Sequence, residues 1–182
     1  PILKPKHTLD AELRINHVNH FEKYFSYHVK GKVSELSFSN LKARIQDEEF
    51  SEAILLLDKL IETNGERKIM YRIVSEIETM QSNEEALFFH FLVANLEKFS
   101  GKSTDFHTHA VDILRAIAER LQASPTENEN LILSISKSLS YNSLCWFLGV
   151  FQRDEAHLPY LTKVENLLIE KIKQSEDHPF FK

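Results

Sequence analysis

Apolar residues recur at intervals of three and four along most of this chain, the spacing of an amphipathic helix. Phe50, Ile54, Leu57 and Ile61 form one stripe within residues 48–64, broadened by Ala53, Leu56 and Leu60. Asn64-Gly65 closes that helix, since both residues tolerate the left-handed conformation of a helix terminus. Ile69, Ile73 and Ile77 mark a second helix over 66–80. Residues 82–101 open on Ser82 and Glu85, a capping-box pair, and close on Gly101. Leu87, Phe88, Phe91, Leu92, Ala94, Leu96 and Phe99 cover most of that segment's circumference, so it is expected at the centre of the fold.

The same period places Phe106, Ala110, Ile113, Leu114, Ile117 and Leu121 on one face of a helix over 103–123. The next helix, 124–139, begins with Ser124 as N-cap, Pro125 in the first helical position and Glu127 in the third, a strong start signal. Residues 140–151 are short and very apolar, and 158–174 form an amphipathic helix with Pro159 in its first turn. Towards the start, Phe38, Leu41 and Ile45 are helically spaced, KGKVSELS (30–37) reads as a break with Gly31 at its turn, and a short helix is expected over 17–28. PILKPKHTLDAEL (1–13) has two prolines and little periodicity, so it reads as a linker or arm. The expected architecture is all-α: about eight helices with short connections, forming an irregular bundle or stacked helical pairs over a single domain, 14–182. No fixed repeat of TPR or HEAT length is present in the sequence.

Composition changes little in this picture. The 182 residues are 42% hydrophobic and 27% charged, ordinary for one globular domain. Four glycines and five prolines are too few for the turns of a β-sandwich. A net charge of −5 argues against nucleic acid as the principal partner. The single cysteine, Cys145, rules out an intrachain disulfide and suits a cytoplasmic location. No apolar run approaches the length that spans a bilayer. The first residue is Pro rather than Met, so a longer parent protein is expected.

Each candidate for chemistry has a plainer competing explanation. His17 and His20 are spaced for a shared metal, but no third ligand accompanies them. His17, Phe21, Tyr24 and His28 instead share a helical stripe, with Phe25 alongside, which reads as a packing face. His107 and His109 are two apart, and a continuous helix turns them to nearly opposite sides. They become joint ligands only if that helix start is unwound. His90, between Phe89 and Phe91, reads as a hydrogen-bonded core histidine, and Cys145 beside Trp146 and Phe147 as an inert thiol. Glu22, Glu48, Glu49, Glu84 and Glu85 fall at helix starts or on solvent faces, and no Glu-x-x-His occurs to build a di-iron site. No phosphate loop, dinucleotide fingerprint or nucleophile elbow is present. The chain is therefore expected to be non-catalytic, with no cofactor or metal of its own.

One stretch is distinctive. Arg14-Ile15, then Phe21-x-x-Tyr24-Phe25, Tyr27-x-Val29, Gly31 and Val33-Ser34 follow one another over about 25 residues. This order resembles the region just C-terminal to the ATPase core in the KAP family of P-loop NTPases. It departs in one respect, since a proline often opens the aromatic helix in that family and His17 or Asn19 stands there in this chain. The resemblance implies a bacterial, cytoplasmic parent that binds ATP and Mg²⁺ upstream of Pro1, of a family associated with membranes or with phage exclusion. This chain would then be its C-terminal helical accessory domain. None of the family's catalytic residues maps here. Phe21, Tyr24 and Phe25 would wedge the exit of the ATPase core against the helical tail, with Arg14 facing the core or a neighbouring subunit.

The rival reading is a free-standing helical module that binds a peptide, a protein partner or a second copy of itself. Phe180 and Phe181 of the HPFF terminus would serve it as a docking tail or fold back on the body. A histidine-metal enzyme is the third reading, and it is short of ligands.

Overall fold

The computed structural model describes residues 32–105, 107–152 and 157–176. In chain order the helices are α1 (Lys32–Gln46), α2 (Phe50–Asn64), α3 (Glu66–Thr79), α4 (Ser82–Ala94), a 3-10 turn (Leu96–Phe99), α5 (His109–Gln122), α6 (Pro125–Ser138), α7 (Tyr141–Leu148) and α8 (Leu158–Glu176). The fold is all-α. Among the described residues the only β contact is an isolated antiparallel bridge between Lys102 and Thr108. The expected arm (1–13) and short helix (17–28) lie outside the described residues, as do Arg14, Phe21, Tyr24 and Phe25.

The helices stack as two rows. One row runs α2, α3, α5, α7 and the other α1, α4, α6, α8, each helix packed on the next in its row. The rows are tied together where α1 meets α2, α4 meets α5, α5 meets α6, and α7 meets α8. Of the two expected arrangements, bundle or stacked pairs, this is the stacked one, without a fixed sequence period. A single core runs between the rows. Leu57, Ile73, Ile77, Phe88, Phe89, Leu92, Phe99, Ile113 and Ile117 are all fully buried in it.

Several local expectations are corrected. Residues 32–37, within the break expected over 30–37, are instead the first turns of α1, while the turn placed at Gly31 lies outside the described residues. The segment 82–101 is not one helix. It stops at Ala94, where the Asn95 side-chain amide donates to the Phe91 carbonyl at 2.8 Å and the backbone moves to φ −120°, ψ 18°. A short polar side chain that bonds its own preceding turn competes with helix continuation, and the 3-10 turn comes next.

The Ser82/Glu85 capping box does not form. Gln81 is the N-cap in extended backbone, and no side chain caps the helix. Glu85 lies at the helix start, one of the two positions expected for it, but turns inward to 3% exposure rather than facing solvent. Its Oε1 accepts from Arg120 Nε at 2.7 Å, and Arg120 Nη2 donates to the Met80 carbonyl at 2.8 Å. One guanidinium thereby joins the last turn of α5 to the start of α4. Ser124 and Pro125 hold their expected positions, but the Ser124 hydroxyl makes no cap bond. Asn128 Nδ2 instead reaches the Leu121 carbonyl at 3.0 Å and pins the α5–α6 turn.

Among the described residues two turns take positive φ. Gly65 sits at φ 86°, ψ 143°, where side-chain-bearing residues are strained, and its N–H closes α2 on the Ile61 carbonyl at 2.8 Å. Glu48, between α1 and α2, takes φ 59° without being glycine.

Two lysine contacts fix the direction of α8. Lys163 of α8 bonds Glu129 near the start of α6, and Lys171 Nζ donates to the Lys137 carbonyl near its end at 3.2 Å. The two helices therefore run parallel. The end of α8, the end of α6 and the start of α7 share one edge of the array. The opposite edge carries Gln122, which receives Gln152 N–H on its side chain and lies against His157.

Candidate functional site

The loop 100–108 and the first turn of α5 hold the densest polar cluster among the candidate residues. Gly101 anchors the loop: its N–H donates to Glu66 Oε1 at 2.6 Å and its carbonyl accepts from His109 N–H at 2.9 Å. A Cβ at Gly101 would meet the Glu66 carboxylate at 2.7 Å, so the close approach requires glycine or a displaced Glu66. The Ser103 and Thr104 N–H groups both donate to the His107 carbonyl, at 3.2 and 3.3 Å. The loop is thus closed by its own backbone before α5 begins.

This unwinds the helix start expected over 103–108, and the two histidines no longer diverge. His107 precedes the helix and His109 is its first residue, so both address Asp112 in the first turn. His107 Nε2 lies 3.1 Å from Asp112 Oδ1, and His109 Nδ1 lies 3.8 Å from Oδ2. His107 Nδ1 is 2.9 Å from the Thr104 hydroxyl. With Nε2–H donated to the carboxylate, Nδ1 is the lone-pair nitrogen that accepts from Thr104. His109 is 4% exposed, and its Nδ1 has no hydrogen-bond partner. The Trp146 ring lies 6.2 Å from the His107 ring, tilted by 51°, and so brings α7 to the cluster.

Hydroxyl, imidazole and carboxylate in series have the order of a proton relay. The backbone donors beside Thr104 are already bound to His107, however, and none of those bonds points at a developing oxyanion. Among the described residues no group of three or more His, Cys, Asp or Glu is arranged to hold a metal ion. The cluster works as a lock on the start of α5. Replacing Asp112 with Ala is expected to cost about 1–2 kcal/mol, through one lost hydrogen bond to a charged group and one lost first-turn carboxylate. Urea unfolding of the variant measures it.

The other candidates are dispersed over the array. His90 is half-buried rather than core, and its Nε2 pairs with Ser134 Oγ at 3.1 Å across α4 and α6. Cys145 is half-buried, and the surroundings expected to be apolar are only partly so. Phe147 is fully buried, whereas Trp146 is 45% and Tyr141 43% exposed. Hydrogen bonding with Cys145, together with its charge, raises the Tyr141 phenol above its ordinary value. Tyr141, Cys145 and Trp146 line the outward side of α7. Asp112 is the functional neighbour missed in the sequence. The signal was present as His-x-His with an acid three residues on, legible once the helix start moves to His109.

Arg14, Phe21, Tyr24 and Phe25 lie outside the described residues, so their expected contact has no geometry here. No helix among the described residues is long and apolar enough to cross a membrane. No family model, no curated protein and no solved structure matches this chain.

Proposed function

We propose that this chain is a non-catalytic, helical accessory domain of a bacterial, cytoplasmic P-loop NTPase, with ATP and Mg²⁺ bound upstream of Pro1. The observation that carries the reading is the ordered series Arg14-Ile15, Phe21-x-x-Tyr24-Phe25, Tyr27-x-Val29, Gly31 and Val33-Ser34, with its resemblance to the exit of a KAP-type ATPase core. Val33 and Ser34, the last of that series, belong to α1, which packs on both α2 and α4. Motion of the aromatic segment would therefore be passed through α1 to both rows of the array. In this reading the domain's partner is the NTPase core of its own chain, and its role is regulatory.

In this proposal Phe21, Tyr24 and Phe25 would be the coupling side chains, with Arg14 directed to the core or to a neighbouring subunit. The test is ATP turnover by the full-length parent. Phe25→Ala is expected to change the rate about 2- to 30-fold, the span of a 0.5–2 kcal/mol coupling, with ATP affinity retained. Unchanged turnover in a folded variant would reject the coupling role.

A second reading is favoured by a different observation. The exposed Tyr141 and Trp146 on α7 are the kind of aromatic anchors that protein interfaces use. A free-standing interaction module would carry such a face with no NTPase attached.

A further inference from the structure

Among the described residues α8 is the last helix of its row, packed on α6 and α7. Contacts settle which side of it faces inward. Tyr160, Leu161 and Val164 are buried in the core, and Lys163 and Lys171 reach α6. Ile169 stands half a turn round the helix from Tyr160 and is 48% exposed. Ile172 is half-buried one turn further along, and Thr162, Asn166 and Lys173 are exposed around the two isoleucines. The open end of a stacked helical array ordinarily presents a polar face. On α8 that face carries an aliphatic pair flanked by opposite charges, Glu165 four residues before Ile169 and Lys173 four residues after it.

We infer that this face is an interface with a second copy of the chain, in which two α8 helices pack antiparallel about a two-fold axis at Ile169. The order of charges selects that arrangement. Parallel pairing about a two-fold axis sets each residue against itself, so Glu165 would meet Glu165 and Lys173 would meet Lys173. Antiparallel pairing centred on Ile169 sets Glu165 against Lys173 of the second copy, and symmetry makes the contact twice. In the same register Ile169 meets its own counterpart, Glu170 falls opposite Leu168 and Lys171 opposite Leu167, so none of these charges opposes its like. Burial of the isoleucines supplies the driving force, and the exposed ion pairs fix direction and register more than affinity. One helix face is at the small end of specific interfaces, so the dimer is expected to dissociate on dilution. The exposed aromatics of α7 offer no such selection, because that helix carries no charged residue. This inference does not depend on an attached NTPase.

Sedimentation equilibrium of the full chain, from low micromolar to submillimolar concentration, tests the interface, with helicity of every variant checked by far-UV circular dichroism. The expected result is a reversible monomer–dimer equilibrium that Ile169→Lys abolishes in an equally helical protein. Glu165→Lys alone and Lys173→Glu alone each set like charges opposite one another twice, and each is expected to weaken the dimer at least about tenfold. Glu165→Lys/Lys173→Glu reverses both partners and is expected to restore dimerisation to within about threefold of the parent. A parent that stays monomeric throughout the range would overturn the inference. So would a dimer that survives Ile169→Lys, which would assign association to another face. Single charge reversals without effect, or a double reversal that fails to restore the dimer, would overturn the antiparallel register.

Discussion

Arg120→Ala is expected to lower the free energy of unfolding by about 3 kcal/mol, the lower end of what breaking a buried ion pair costs. The Glu85 side chain is 4% exposed, and Arg120 is its ion-pair partner at 2.7 Å. Removing the guanidinium leaves a carboxylate in the core at the start of α4 and frees the Met80 carbonyl. Arg120 is itself 31% exposed, so water can partly replace it, which keeps the figure at that end of the range. Glu85→Ala/Arg120→Ala is expected to cost clearly less than the sum of the single substitutions, since no charge is then stranded. Urea unfolding of the four proteins gives the coupling directly, and additive losses would show that the pair is not a unit.

Phe147→Ala is expected to cost about 3–5 kcal/mol, as buried phenylalanine truncations do. Phe147 is fully buried at the inner face of α7. Its ring meets Phe151 edge-on at 5.1 Å and 75°, Phe151 meets Tyr160 at 5.6 Å and 75°, and Tyr160 meets His157 at 5.8 Å and 73°. This run of tilted rings holds the start of α8 against the end of α7. Phe147→Leu keeps most of the volume and should cost well under half as much. Thermal unfolding followed by helical circular dichroism ranks the two. A loss below about 1 kcal/mol for the alanine variant would mean that the last helical pair is not part of the cooperative core.

The fold class was legible because each helix carries its apolar stripe at helical spacing, and Leu57, Ile73, Ile77, Ile113 and Ile117 are buried as that spacing requires. Boundaries were legible where backbone chemistry dictates them. Gly65 ends α2 and Pro125 starts α6. They were not legible where tertiary contacts override a local signal. The pairing of Glu85 with Arg120, 35 residues away, replaced the capping box that Ser82 and Glu85 spell locally. Glu66 is likewise 35 residues from Gly101, and its bond to that backbone helps to fix the loop that shifts the start of α5 to His109. The convergence of His107 and His109 on Asp112 comes from that shift and from nothing in their spacing.

Whether an NTPase core precedes this domain is read most directly from the coding sequence upstream of Pro1. The accessory-domain reading predicts an in-frame G-x-x-x-x-G-K-[ST] after an apolar strand, with an acidic Mg²⁺ motif further on. A start codon within a few residues of Pro1 would contradict it and leave a free-standing helical interaction module.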